Sequence, residues 1–291
     1  MTLSHRATPY LLLAPFLALF VLFAAYPIAQ SLILSFQQTF GPGYSRWIGV
    51  SNYRWLIADP LFWTSVRNTV LFTLGSVFIQ LPLSLALALL LNRERLRGRA
   101  IYRTIFFAPS LVGIIFVAMM FSLIFEKRTG LLNRVLHTLF GWDLDFPWLF
   151  DYSMPALILA ALWMFVGFNM VYFLAALQNV RKELIEASII DGAGPISRFR
   201  HVILPAIIPV GSFVTLLSIV GSFQLFELPW VMLRGEQHDI RSYTLVVYLY
   251  NRGFEIGDLG YASAVGWVLA SVLMLMALLQ RFVSRSVEDI E

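Results

Sequence analysis

The stretch from Met154 to Gln178 reads MPALILAALWMFVGFNMVYFLAALQ and contains no Asp, Glu, Lys, Arg or His. A helix crosses the hydrocarbon core of a bilayer with about 20 consecutive apolar residues, and this run is long enough. Working outward, five more runs share its character: Tyr10–Phe36, Asn68–Leu91, Thr104–Phe125, Ile203–Phe226 and Ala262–Gln280. None carries an ionisable side chain of those five types, and all 38 Lys, Arg, Asp and Glu residues lie outside the six. A soluble protein with six buried helices is the alternative, but buried core helices are usually shorter. The expected fold class is therefore all-α: a polytopic membrane protein with six transmembrane helices.

Composition points the same way. Of the 291 residues, 59% are hydrophobic and 13% charged, and mean hydropathy is +0.76. A soluble domain carries about 25% charged residues. Disordered chains are polar and poor in aromatics, whereas this one has 25 Phe, 11 Tyr and 8 Trp. There is no cysteine, which removes disulfides, thiolate metal sites and cysteine nucleophiles.

Orientation follows from Lys and Arg in the short loops. One side holds the N-terminus, 92–103, 179–202 and the C-terminal tail, with 12 basic and 7 acidic residues. The other holds 37–67, 126–153 and 227–261, with 9 basic and 10 acidic residues. Both termini are thus expected in the cytoplasm. The run Arg93-Glu94-Arg95-Leu96-Arg97-Gly98-Arg99 then reads as a topology anchor rather than a nucleic-acid patch. The first run could be a signal peptide behind His5 and Arg6. However, Tyr26-Pro27-Ile28-Ala29 continues into Leu32–Phe36 without a small-x-small cleavage site, which favours a retained helix.

Several functions lose their parts. Ion-coupled transporters and voltage sensors keep ionisable groups inside the membrane, and these runs have none. Intramembrane hydrolysis would need paired acids, a His-Glu-x-x-His or a Ser–His pair. The four histidines, His5, His137, His201 and His238, are scattered over loops, so no metal site is expected. No phosphate-binding Gly-x-x-x-x-Gly-Lys-Ser/Thr exists, so ATP is not bound by that route. Any uphill transport must draw its energy from another subunit.

The segment Asn179–Pro205, between runs four and five, is where such a subunit would act. Arg181–Ile190 is rich in helix formers, Gly192 and Gly194 permit positive φ, and Pro195 prevents the same helix from continuing. A second short piece is expected to end at Leu204-Pro205, where the fifth span begins. The product is a helix–turn–helix knob, small at Ala187 and Ser188, with acids and arginines on its rim.

This segment resembles the EAA loop of binding-protein-dependent ABC importer permeases. That pattern is Glu-Ala-Ala, three residues, Gly, nine residues, then Ile-x-Leu-Pro. Here Glu186-Ala187-Ser188 is followed by Ile189–Asp191, Gly192, Ala193–His201 and Val202-Ile203-Leu204-Pro205. Ser188 and Val202 are mild departures. Tyr26-Pro27, Gly49–Tyr53, Asp59-Pro60, Asn68-Thr69, Leu85–Arg93, Phe106–Pro109, Gly221–Gln224 and Asp258–Ala264 also look like sugar permeases of the maltose and glycerol-phosphate kind. The family's Thr-x-Gly-Gly-Pro stretch is replaced by Leu233-Arg234-Gly235-Glu236, which sets the 233–241 loop apart.

The resemblance implies a type I importer permease fold in a bacterial cytoplasmic (inner) membrane. It implies residues 1–64 as first helix and outer loop, 65–283 as the transmembrane domain with the coupling loop 179–205, and 284–291 as a cytoplasmic tail. Partners would be a second permease, two copies of an ATPase holding ATP and Mg, and an extracytoplasmic solute-binding protein. This chain itself would hold no cofactor. Coupling would rest on Glu186, Ala187, Ser188, Asp191, Gly192, Ala193, Gly194, Leu204 and Pro205. The cargo would be a sugar, with di- and oligosaccharides ranked first, a glycerol-phosphate-type polyol as the alternative, and a channel or secondary transporter as the rival class.

The spans offer such a solute neutral groups and rings: Trp163, Phe168, Asn169 and Tyr172 in the fourth, and Ser218, Ser222 and Gln224 in the fifth. Polar side chains in a span rarely face lipid, and Ser218 and Ser222 share a helix face. Phe168, Asn169, Ser218, Ser222 and Gln224 are therefore the expected substrate pathway. Gly167, Gly211 and Gly221 suit either ordinary close packing or local bending.

Overall fold

The computed structural model describes residues 8–39, 43–93, 96–233 and 242–288. His5, Arg6, Glu94, Arg95, the loop residues 234–241 and the last three residues of the tail lie outside the described residues.

Among the described residues, five continuous helices are long and apolar enough to cross a membrane: Leu12–Ser35, Pro60–Leu91, Ser153–Gln178, Pro195–Phe223 and Leu259–Gln280. The expected third span is different. Instead of one helix over Thr104–Phe125, Arg99–Leu111 and Ile114–Ile124 meet at 94°. Pro109 lacks an N–H and sits in a 3₁₀ turn, Ala108–Leu111, while the Ser110 hydroxyl turns back to the Phe107 carbonyl at 2.7 Å. Val112 and Gly113 are then extended, with ψ of 135° and 134°, and the helix restarts in a new direction. Apolar length alone does not register such a break. The all-α expectation also needs one addition, an antiparallel hairpin pairing Gln37–Thr39 with Ser45–Trp47.

The second and sixth spans begin earlier than their apolar runs, each behind a capping aspartate. Pro60 opens the second, at a position where its missing N–H leaves nothing unpaired, and Asp59 caps it by accepting the Leu61 N–H at 2.8 Å. Asp258 caps the sixth in the same way, accepting the Tyr261 N–H at 3.0 Å.

Three spans contain a wide turn ahead of a proline. Tyr26 donates its N–H to Val21, Leu81 to Ser76 and Leu204 to Phe199, each five residues back. In each case the next residue is proline: Pro27, Pro82 and Pro205. A proline ring clashes with the carbonyl four residues earlier in a regular α-helix. The wider turn moves that carbonyl aside, so the helix passes through.

The described residues form two compact units, one drawn from Met1–Phe62 and Tyr248–Ser271, the other from Trp63–Val247 and Val272–Glu291. In the first, Asn52 is fully buried and donates to the Ser35 and Gln37 carbonyls at 2.9 and 2.8 Å. Asp59 accepts from Tyr248 and Arg252, both at 2.7 Å, and Tyr248 and Tyr261 join their hydroxyls at 2.8 Å. In the second unit the fourth span is the axis. Its first half packs Ala156, Leu157, Ala160, Ala161 and Met164 against Val117, Ala118, Phe121 and Leu228. Its second half packs Met170, Phe173, Leu174 and Leu177 against Leu81, Ala88, Ile207 and Val214. Lipid gives helices little hydrophobic reason to associate, so close fit must do it. Ala156, Ala160 and Ala161, all essentially inaccessible, allow that fit.

Candidate functional site

Two places gather the expected residues. The first is the loop after the fourth span. Lys182–Ile190 is a helix, started by extended Arg181 and ended at Asp191. Gly192 has φ +76°, in the left-handed region where a β-carbon is unfavourable. Its N–H reaches the Ile189 carbonyl at 3.0 Å, and the Ala193 N–H reaches the Ser188 carbonyl at 2.9 Å. This pair of bonds closes the helix end and reverses the chain within two residues. Gly194 precedes the next helix, Pro195 is its first residue, and the Arg198 guanidinium donates to the Ala193 carbonyl at 3.2 Å across the turn.

The knob is thus a tight, hydrogen-bonded reversal. Ser188 is buried, and its hydroxyl donates to the Ile185 carbonyl at 2.6 Å, so this departure from alanine is satisfied inside its own helix. Ile185, Ile203 and Leu204 pack against the core around the second half of the fourth span and hold the base. Glu186, Ala187, Asp191, Gly192, Gly194 and Pro205 are exposed and Ala193 is half-buried. Glu186 lines a hollow of about 470 Å³ with Lys182, Arg99, Asn92 and Gln178. Around the tip, large apolar side chains stand in the open: Leu184, Ile189, Ile190 at 85% and Ile196 at 83% exposure. One expectation is corrected here. The second piece does not stop at Leu204-Pro205 but runs as one helix from Pro195 to Phe223 through the wide turn at Phe199–Ile203. The second half of the knob and the fifth span are therefore one continuous helix.

The second place is a cavity of about 400 Å³. All five expected pathway residues line it: Phe168 and Asn169 from the fourth span, Ser218 and Ser222 from the fifth, and Gln224 at the end of the fifth. Phe72, Ile114, Phe165 and Leu217 provide apolar wall. The Ser218 and Ser76 hydroxyls lie 2.9 Å apart, and the Ser222 hydroxyl donates to the Ser218 carbonyl at 2.7 Å. Trp163 and Tyr172 are not part of this lining. Trp163 packs edge-on to Phe121, and Tyr172 lies between Phe168 and Phe213.

Sequence reasoning missed Ser76, Gln80 and Glu227, which complete the polar lining. Ser76 and Gln80 are the first and last residues of the wide turn before Pro82. Their four-residue spacing is the same signal that singles out Ser218 and Ser222, and it could have found them. Glu227 follows the fifth span directly, at a position that sequence alone assigns to the loop. Of the glycines, Gly167 serves packing: a β-carbon there would stand 1.7 Å from the Phe106 carbonyl oxygen. Gly221 lines the cavity, and a β-carbon there would meet nothing within 4 Å.

This geometry can be set beside known proteins. Residues 80–289 match the family described as binding-protein-dependent transport system inner membrane component. The arabinooligosaccharides transport system permease protein AraP of Bacillus subtilis (strain 168) is 37% identical over 286 residues, 97% of this chain and 90% of that one. The lactose transport system permease protein LacF of Rhizobium radiobacter is 32% identical, over 95% of this chain and 93% of its own length. The sn-glycerol-3-phosphate transport system permease protein UgpA of Yersinia pestis is also 32% identical, over 96% and 95%. In fold, the chain superposes on a chain of a bacterial ABC transporter involved in the import of the acidic polysaccharide alginate. The TM-score is 0.84 at 22% identity, over 97% of this chain and 96% of the other.

Proposed function

The chain belongs to the binding-protein-dependent transport system inner membrane components, and from that premise we propose that it is the permease subunit through which an ABC importer passes a neutral di- or oligosaccharide. Both termini face the cytoplasm, as the excess of Lys and Arg on that side favours. A second permease of similar build completes the pathway. Two ATPase subunits supply the energy, and a binding protein outside the membrane delivers the sugar.

The observation that carries this reading is the knob. Its tip exposes Leu184, Ile189, Ile190 and Ile196 amid charged residues, a surface suited to a groove on an ATPase. Its body continues as one helix into the span that lines the cavity. Closure of the ATPases would move the knobs, and the attached helices would shift the pathway between two states.

The cavity suits the cargo. Hydroxyls and amides of Ser76, Gln80, Asn169, Ser218, Ser222 and Gln224 can exchange hydrogen bonds with sugar hydroxyls, and Phe168 offers a ring to a sugar's C–H face. The sugar-transport names of relatives at 32–37% identity support the same class. The polyol-phosphate reading, supported by one of those relatives, ranks second because no Lys or Arg lines the cavity among the described residues. Co-expression with a partner ATPase, a second permease and a binding protein, followed by uptake into proteoliposomes, tests the proposal. ATP-dependent uptake of an arabinose- or galactose-containing oligosaccharide is expected. Exclusive uptake of an amino acid would overturn it.

A further inference from the structure

One residue of the cavity wall differs in kind from the rest. Glu227 is the sole ionisable side chain among the described lining residues; the other polar ones are Ser, Asn and Gln. Its backbone is anchored, since Leu225 two residues before it and Leu228 directly after it are buried and the helix Glu227–Met232 begins at it. Yet its own side chain is exposed, and among the described residues no cation pairs with it. A carboxylate with no counter-charge among the described residues, at the edge of a half-open and largely apolar space, casts a negative potential into that space because the low-dielectric walls screen it less than bulk water does.

Resting on the sugar-permease reading, we infer that Glu227 is the charge filter of this pathway, which admits uncharged sugars and turns away anionic ones. A neutral sugar gains from it, because a carboxylate accepts hydrogen bonds from hydroxyl groups and such charge-assisted bonds are stronger than neutral ones. A uronate or sugar phosphate gains nothing. It sheds water on entering, meets a like charge, and finds no Lys or Arg in the described lining to replace its hydration. The exclusion therefore lies in the membrane pathway itself, in addition to whatever the binding protein selects.

The chain's lack of cysteine allows a direct reading of the potential. Gly221→Cys places a thiol in the lining where a β-carbon meets nothing within 4 Å. Its reaction rates with a cationic and an anionic methanethiosulfonate of similar size are compared in the assembled transporter, with Glu227 intact and as Glu227→Gln. The ratio of cationic to anionic rate should fall by about tenfold in Glu227→Gln, the order expected for one unit charge several ångströms away in partly wet protein. In proteoliposomes, the preference for galactotriose over trigalacturonate, which differ in a carboxylate on each sugar, should shrink in the same variant. An unchanged rate ratio would overturn the filter, as would wild-type uptake of the uronate as fast as the neutral sugar. A ratio that falls in a transporter that moves no sugar of any kind would instead overturn the sugar-permease reading on which the filter rests.

Discussion

The carbonyl oxygen of Phe106 occupies the space that a β-carbon on Gly167 would need, 1.7 Å from its ideal position. The helix Arg99–Phe107 therefore meets the fourth span backbone against backbone, close to where the third crossing breaks. Gly167→Ala should force the two apart. Overpacking a well-fitted site costs about 1–3 kcal/mol, and a backbone obstacle cannot rotate away as a side chain can. Gly167→Ala is expected to lower the melting temperature in detergent clearly, while Gly221→Ala, with open space before it, leaves it unchanged. Equal melting temperatures for both would disprove the tight contact.

The knob can be tested through its backbone alone. Gly192 sits at φ +76°, and a β-carbon added there would have nothing within 4 Å, so a substitution meets strain and no clash. Left-handed backbone costs an ordinary residue roughly 1–2 kcal/mol, and asparagine tolerates it better. Gly192→Val should abolish uptake and loosen the hold on the ATPase, while Gly192→Asn should keep most of both. Glu186→Lys should lose uptake with membrane insertion intact. Normal ATPase co-purification and normal uptake in Gly192→Val and Glu186→Lys would refute the coupling role.

How far these features can be read from sequence depends on the physics behind each. Apolar length and charge exclusion are local properties, so the five continuous spans and the approximate extent of the broken third were legible. The reversal at Gly192 was equally so, because glycine and proline constrain the backbone wherever they stand. The pathway residues came from the rarity of unsatisfied polar groups in lipid, and Phe168, Asn169, Ser218, Ser222 and Gln224 do share one cavity. The break after Phe107 was not legible, since Pro109 resembles the prolines that spans elsewhere carry through. What separates them is the turn geometry: Pro27, Pro82 and Pro205 each follow an i to i−5 bond, and Pro109 lies in a 3₁₀ turn that leads to extended residues. Glu227 was hidden for another reason: a charge beside a span reads as loop until the fold turns it toward the cavity.

The first unit should respond to acid through Asp59. Burial would by itself raise this carboxyl, but hydrogen bonds from Tyr248 and the Leu61 N–H, with Arg252 alongside, outweigh it and hold it below the usual carboxylate range. A carboxyl depressed on folding contributes stability above its unfolded value, near 3.8, and loses it as pH falls through the lower folded value. This contribution should therefore stay flat from neutral pH down to about pH 4 and fade only below that. Asp59→Asn should lower the melting temperature by a few degrees at neutral pH. It should also remove part of the fall seen below about pH 4. A variant as stable as wild type at neutral pH would show that the pairing of Asp59 with Arg252 contributes nothing there.

The cavity residues make one prediction about motion that needs no knowledge of the cargo. Single cysteines replacing Asn169, Ser218, Ser222 and Gln224 are clean probes in a chain without cysteine. Ser222 and Asn169 are 3% and 8% exposed, while Gln224 is open. With a small uncharged water-soluble thiol reagent, Gln224→Cys should react fastest and Ser222→Cys slowest in the resting transporter. Because the fifth span is continuous with the knob, trapping ATP on the partner should change the rates at Ser218 and Ser222 together. A cysteine at Trp163, which packs on Phe121 away from this lining, should show no such nucleotide dependence. Four thiols that stay unreactive in both nucleotide states would mean that this face is dry packing and that solute passes elsewhere.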